Sequence, residues 1–116
     1  MKTALIVAAL LLATSIVASA APQSPVTRAD LQRHDLSVAG WETVQARVDI
    51  APGAIAPRHK HPGEEIIYVL QGTLVYEVEG KPPATLKSGG VLFVPYGVVH
   101  SAKNVGSGTA SDSPLM

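Results

Sequence analysis

The chain has 116 residues, no cysteine and a formal net charge of zero at pH 7. The lack of cysteine excludes disulfides and thiolate ligands, and with them iron–sulfur and blue-copper chemistry. The balanced charge gives no sign of a surface for nucleic acid or for an anionic membrane. Stability must therefore come from packing and from any metal that the protein binds.

The first 20 residues have the pattern of a secretory signal peptide. Lys2 is followed by an apolar run over residues 4–12, and the small residues Ala18, Ser19 and Ala20 precede the expected cleavage point. An uncleaved membrane anchor is the alternative, because the uncharged stretch is about long enough to cross a bilayer. Removing 20 of the 116 residues leaves 96, with eight Lys and Arg against nine Asp and Glu. We expect one periplasmic or secreted domain, with no membrane contact after cleavage.

The next segment is short and mixed in character. Residues 21–40 are expected to form an N-terminal linker, in which residues 28–34 could make one amphipathic turn or a short helix. From Trp41 to Ile50 the pattern changes to a period of two, which is typical of a β-strand with one face toward a core. The residues on that face are Val44, Ala46, Val48 and Ile50.

Short strands separated by turn residues follow to the end of the second motif described below. The predicted strands cover residues 65–70, 73–79, 84–87, 91–94 and 98–103, with Gly and Pro between them. This spacing is typical of an all-β sandwich or barrel. The expected interior is apolar and contains Val44, Val48, Ile50, Ile67, Val69, Leu74, Val78, Leu92 and Val98, with Tyr76 as its clearest polar group.

Two stretches place histidine and glutamate at regular intervals. The first contains Gly53, His59, His61, Glu65 and Gly72, and the second contains Gly89, Pro95, Gly97, His100 and Asn104. Side chains two apart on a strand project to the same face, so His59 and His61 are expected to point inward while Lys60 faces solvent. The chain doubles back at Pro62-Gly63, and Glu65 opens the next strand.

These stretches resemble the two motifs of the cupin superfamily in residue type and spacing. The resemblance implies a small cupin barrel over residues 41–104, of the double-stranded β-helix or jelly-roll type. It also implies one divalent metal held by His59, His61, Glu65 and His100. Three imidazoles and one carboxylate suit Mn, Fe, Co, Ni, Cu or Zn better than Ca or Mg.

Some roles within the site stay open. Glu64 competes with Glu65 as a ligand, since either could reach a metal from a hairpin end, although strand parity with the histidines favours Glu65. Tyr76 or Glu64 could assist proton transfer as a catalytic group. Asn104 is expected to form hydrogen bonds at a turn or edge. No buried acid/base pair, no arginine clamp for an anion and no organic cofactor site is evident.

The C-terminal residues depart from the cupin pattern. Cupins usually continue with a strand or two that closes the barrel, whereas residues 105–116 are rich in Gly and Ser and are predicted to be a flexible tail. The barrel would then lack its last strand, and would be open at one edge or completed by another chain. Ile66, Tyr68 and Leu70 form an apolar stripe on the outer face of their strand. We expect a second copy of the chain, or the segment around Trp41, to cover it.

These features lead to two hypotheses of function. The first is a metal-dependent enzyme that acts on a small molecule, as a dioxygenase-like oxygenase or as an isomerase. The second is a non-enzymatic periplasmic module that binds a metal or a small molecule. The fold alone does not decide between them, because cupin barrels serve both purposes.

Overall fold

The computed structural model describes residues 15–16 and 24–116, and within these ranges the chain is all-β. The predicted signal peptide lies outside the described residues, apart from Ser15 and Ile16. In the described part, no helix is long and apolar enough to cross a membrane. The strands are β1 (Val26–Asp35), β2 (Glu42–Ile50), β3 (Ile55–His59), β4 (Glu65–Gln71), β5 (Thr73–Val78), β6 (Ala84–Lys87), β7 (Val91–Val94), β8 (His100–Asn104) and β9 (Ala110–Leu115).

The strands form two antiparallel sheets around one core. One sheet has the order β1-β2-β9-β4-β7 and the other has the order β3-β8-β5-β6. The period of two in β2 determines its orientation, and Ala46 and Ile50 are fully buried on the predicted face. The core joins both sheets and contains Ile50, Ile67, Val69, Leu74, Tyr76, Val78 and Val94. The all-β prediction is confirmed, since side chains from one face of each sheet supply the core.

The N-terminal segment differs from the prediction of a linker with a turn or short helix. Residues 28–34 belong to β1, an exposed edge strand that pairs along the length of β2. Apolar and polar residues do not alternate regularly along β1, so the pattern does not predict a strand. The reason is that only one edge and part of one face of β1 contact the rest of the domain. Charged pairs support it instead, with Arg33 Nη1 2.6 Å from Glu42 Oε1. Charges on an edge strand also discourage pairing with other chains.

The C-terminal residues are a central strand, so the predictions of a flexible tail and of a missing last strand are wrong. β9 lies between β2 and β4 in the five-stranded sheet. Its first residues, Ala110 and Ser111, are fully buried. The ladder to β2 is interrupted opposite Ser113 and Pro114, where proline has no N–H to donate. Pairing resumes at the chain end, where Met116 exchanges backbone hydrogen bonds with Val44.

Gly72, in the turn between β4 and β5, allows this turn to pack closely against β9. Gly72 has a φ of +82°, a conformation that L side chains rarely adopt. A Cβ at this position would lie 2.7 Å from the Cα of Ala110. Gly72 is therefore required both for its backbone conformation and for the close approach of β9.

The apolar stripe lies on the outer face of β4, as predicted, and within the described chain it is not covered. Ile66 and Tyr68 remain 54% and 49% exposed, and Phe93 and Val91 stand opposite them on β7. Trp41 lines a cavity with Leu36 and Glu64, and no residue of the stripe lines that cavity. The homodimer stays a prediction.

Candidate metal centre

The structure brings His59, His61, Glu65 and His100 together. One potential ligand atom from each residue lies within 4.8 Å of those of the other three. The imidazole centroids are 4.3 Å apart for His59 and His100 and 4.8 Å apart for His59 and His61. The convergence predicted from the motif spacing is thus present in the fold.

Three strands and one connection position these side chains. His59 ends β3 and stands opposite His100, the first residue of β8. Glu65 begins β4 in the other sheet, so the cluster lies between the sheets. His61 lies beyond the end of β3 rather than on it, and the N–H of Gly97 donates to its carbonyl at 3.1 Å. The expectation that every ligand stands on a strand therefore fails for His61, although a backbone hydrogen bond holds the connection.

Backbone carbonyls orient two of the imidazoles. His59 Nδ1 donates to the carbonyl of Pro57 at 2.7 Å, and His100 Nδ1 donates to the carbonyl of Val98 at 3.0 Å. A carbonyl only accepts, so Nδ1 carries a proton in both rings, and Nε2 is the nitrogen that is available to a metal. In metal sites, the imidazole nitrogen that does not bind the metal usually donates a hydrogen bond of this kind.

Glu65 contacts two of the histidines and affects the pKa of both. Its Oε2 lies 2.8 Å from His100 Nε2 and 3.1 Å from His61 Nε2. The neighbouring carboxylate raises the pKa of His100 above its ordinary value. For His61 the loss of water on burial outweighs the carboxylate, and its pKa is lowered. His61 is therefore readily neutral, as ligation requires.

The donor set fits a divalent transition metal. Glu65 Oε2 and His100 Nε2 are buried and lie 2.8 Å apart, and within the described residues neither atom has any other hydrogen-bond partner. Buried polar atoms are nearly always paired, so these two depend on each other or on a bound ion to replace the water lost on burial. A cation at the point where they converge would satisfy both atoms, together with the free Nε2 of His59 and of His61.

A cavity of about 260 Å³ adjoins the cluster. Its lining is mostly apolar and includes Val48, Ile50, Ala56 and Pro114 as well as the four clustered residues. His59 is exposed, so the cavity reaches solvent on that side. Arg28 also lines it, from β1. No arginine clamp was evident from the sequence, and the position of Arg28 at the cavity could not be predicted, because its segment was not predicted to be a strand of this sheet.

Neither Glu64 nor Tyr76 lines the cavity beside the four clustered residues. Glu64 is exposed and lines the neighbouring cavity that contains Trp41. Tyr76 is 2% exposed and its hydroxyl donates to Oδ2 of Asp112. Burial, with Asp112 beside it, raises the pKa of Tyr76, so the hydroxyl keeps its proton. Their catalytic roles stay predictions.

Asp112 is the residue that sequence reasoning missed. It lines the metal cavity and forms a buried acid pair with Tyr76, although no such pair was expected. Its segment offers no apolar pattern, and only the central position of β9 places it inside. Asn104, by contrast, forms hydrogen bonds as expected: its side chain donates to the carbonyls of Ile50 and Gly108 and accepts from the N–H of Gly106.

Comparison with known proteins agrees with this geometry. A germin-like protein, subfamily 2 member 2 of Arabidopsis thaliana, is 36% identical over 96 residues, which are 76% of this chain and 42% of that protein. Auxin-binding protein ABP19b of Prunus persica is 36% identical over 74 residues, 60% of this chain and 35% of that protein. The chain thus spans less than half the length of these curated relatives.

Solved structures show the same fold. Oxalate oxidase in complex with the substrate analogue glycolate superposes with a TM-score of 0.65 and 27% identity, over 78% of this chain and 50% of that one. The cupin domain of Schizosaccharomyces pombe Cnp3 superposes with a TM-score of 0.68 and 23% identity, over 80% and 64% of the two chains, a likeness of fold alone. The family described as Cupin domain matches residues 46–111. The chain therefore belongs to the cupin family.

Proposed function

We propose that this protein is an exported, single-domain cupin that binds one divalent transition metal through His59, His61, Glu65 and His100. With that metal it acts on a small molecule, as an enzyme of the oxygenase or isomerase class. The metal would supply Lewis acidity and open coordination positions. Its identity among Mn, Fe, Co, Ni, Cu and Zn is a separate question, since availability as well as affinity selects the ion.

The observation that carries this proposal is the pair of buried, unsatisfied atoms at the cluster. In the part of the chain that the structure describes, Glu65 Oε2 and His100 Nε2 have no hydrogen-bond partner besides each other, and the donor atoms of all four residues lie within 4.8 Å of one another. Leaving such atoms unpaired costs about 1–3 kcal/mol each. A bound cation removes this cost, and the adjoining cavity gives a ligand access to it.

Small organic acids are the first substrate class that we propose. A related oxalate oxidase of 27% identity has been solved with glycolate, a small acid. In this chain, a carboxylate at the metal would also lie within the field of Arg28, which lines the cavity. Arg28 is partly neutralised by Asp30, whose Oδ1 is 3.0 Å from Arg28 Nε. We therefore expect Arg28 to attract anions rather than to clamp them.

Assembly and export belong to the same proposal. We propose a homodimer, because Ile66, Tyr68 and Phe93 expose a continuous apolar face on the five-stranded sheet. Sedimentation at micromolar concentration tests it, and a species of only about 10 kDa would contradict it. Export rests on the N-terminal sequence pattern, and N-terminal sequencing of the mature protein would detect cleavage after Ala20.

The metal site is tested by two neighbouring glutamates. Glu65→Gln removes the charge of the central ligand, whereas Glu64→Gln makes the same change at an exposed residue one position away. Elemental analysis of protein recovered from its native export compartment should find about one metal per chain in the wild type and in Glu64→Gln. It should find little in Glu65→Gln. Equal metal content in the two variants would contradict the ligand set.

Turnover decides between the enzyme and the binding module. Metal-loaded protein would be assayed for oxygen uptake and for isomer formation with oxalate and other small acids, catechols, flavonols, diketones and sugars. Turnover that disappears in Glu65→Gln supports an enzyme. Saturable ligand binding by calorimetry with no turnover of any bound compound supports the non-enzymatic alternative.

A further inference from the structure

His61 lines a second cavity as well as the one beside the metal cluster. The volume of this second cavity is about 270 Å³, close to that of the first. Val48 and Ile50 of β2 line the first cavity, and Glu42 and Val44 of the same strand line the second. Alternate residues on a strand share a face, so both cavities lie along the inner face of the five-stranded sheet. The metal-dependent function proposed above makes no use of the second cavity.

Apolar and acidic residues together line this second cavity. Leu36 and Trp41 contribute apolar groups, and Glu64 is a second acidic residue besides Glu42. Among the described residues, no lysine or arginine lines it. An adjoining hollow shares Leu36, Trp41 and Glu42 and adds a third acidic residue, Asp35. The walls therefore favour a ligand that is both apolar and positively charged.

The side chains that would contact such a ligand are accessible from solvent. Trp41 is 46% exposed, the side chain of Glu42 is 45% exposed, and Glu64 is exposed as well. The backbone of Trp41 is held in place, because its carbonyl accepts from the N–H of Leu36 at 2.9 Å and its own N–H donates to the carbonyl of Val38 at 3.2 Å. Ordering this loop therefore adds little to the entropic cost of binding.

Glu64 supplies the negative charge that is available to a ligand. Glu42 is largely neutralised by Arg33, whose Nη1 lies 2.6 Å from Glu42 Oε1. Glu64 forms no ion pair with another described residue. Its carboxylate and the ring of Trp41 are thus the two groups of this cavity that attract a cation.

We propose that the cavity is a second binding site, which takes a small quaternary ammonium compound. The cation lies against the ring of Trp41, and its methyl groups contact the apolar wall at Leu36. Glu64 attracts it electrostatically from the rim. An aromatic ring attracts a cation that is placed over its face, and a quaternary ammonium group combines this charge with an apolar surface. The volume is below that of most cavities for drug-sized ligands, so we expect a compact compound.

The test uses the fluorescence of Trp41, the single tryptophan of the chain. Wild-type protein would be titrated with choline and with 3,3-dimethylbutan-1-ol, which has the same shape without the charge. We expect saturable binding of choline, roughly tenfold tighter than that of the alcohol. Glu64→Gln should remove most of this preference. Glu77→Gln makes the same change at an exposed residue that does not line the cavity, and it should keep the preference.

Two further measurements locate the bound choline. Trp41→Leu keeps an apolar side chain but removes the ring, so by calorimetry this variant should bind choline no more tightly than the alcohol. Wild-type protein treated with a chelator and dialysed should bind choline at least as tightly as the metal-loaded protein, because a bound metal ion beside His61 repels a second cation. Choline binding that disappears with the metal would place the ligand at the cluster and would overturn the inference.

Three other results would also count against a second site. They are the absence of saturable choline binding in the wild type, equal affinities for choline and the alcohol, and a preference for choline that survives in both Glu64→Gln and Trp41→Leu. None of these results involves metal uptake or turnover, so the proposed function is tested separately.

Discussion

Replacing Asp112 with asparagine should stabilise the metal-free protein at neutral pH. The carboxyl is buried, one of its oxygens is without a partner in the described structure, and its only hydrogen bond comes from Tyr76. The loss of water on burial, opposed by that hydrogen bond and reinforced by Glu65 and Asp49, raises its pKa from 3.8 to about 6. Ionising this group therefore costs more in the folded protein than in the unfolded chain.

The size and the sign of the change in stability follow from the raised pKa of Asp112. A difference of about two pKa units corresponds to about 3 kcal/mol. As pH rises from about 4 to 6, the unfolded chain loses the Asp112 proton first, so the folded state binds more protons and stability falls. The loss is complete above the folded pKa of about 6. Asparagine cannot ionise, so the variant does not suffer this loss.

Urea unfolding of chelator-treated protein, followed by circular dichroism at pH 4 and pH 7, measures the difference. The free energy of unfolding of Asp112→Asn minus that of wild type should increase by about 2 kcal/mol between these pH values. Comparing the two proteins cancels the titration of groups that do not interact with Asp112, such as the exposed carboxylates. Comparing the two pH values cancels the constant cost of burying an amide. A difference that does not change with pH would refute the reasoning.

Three other outcomes are expected. His61→Ala should lower both metal content and melting temperature, whereas the exposed neighbour Lys60→Ala should change neither much; equal effects, measured by elemental analysis and calorimetry, would mean that the orientation of this segment is misassigned. Metal should be released as pH falls through and below about 6.5, since protonated imidazoles cannot ligate, and metal retained at pH 4 in a dialysis assay would argue against three histidine ligands. Deleting residues 110–116 should abolish cooperative unfolding, because β2 and β4 would lose the strand between them; a truncated chain with a wild-type melting curve would show that β9 is dispensable.

The stability prediction concerns a carboxyl that lines the cavity beside the candidate metal centre. A buried carboxylate that destabilises the metal-free protein by about 3 kcal/mol is a large effect, because the free energy of unfolding of a domain is typically 5–15 kcal/mol. Perturbed carboxyls of this kind are concentrated at functional sites.

Several features could be predicted from local pattern. The period of two placed Ala46 and Ile50 in the core, and the short strands and turns between residues 65 and 104 were found close to their observed bounds. The choice of Glu65 over Glu64 followed from alternation on a strand, and the structure places only Glu65 in the cluster. These predictions succeed because neighbours in sequence determine which face a side chain occupies.

Other features depended on contacts between distant segments. Residues 28–34 are strand because β2 supplies their hydrogen bonds, and their own charged sequence carries no such signal. β9 is strand because β2 and β4 flank it, although its small polar residues resemble a tail. Asp112 became part of the cavity only through that placement. The resemblance of two sequence motifs to those of cupins thus predicted the cluster of three histidines and Glu65. The tertiary structure decided that Asp112 lies in the same cavity, because long-range pairing rather than local propensity buries β9.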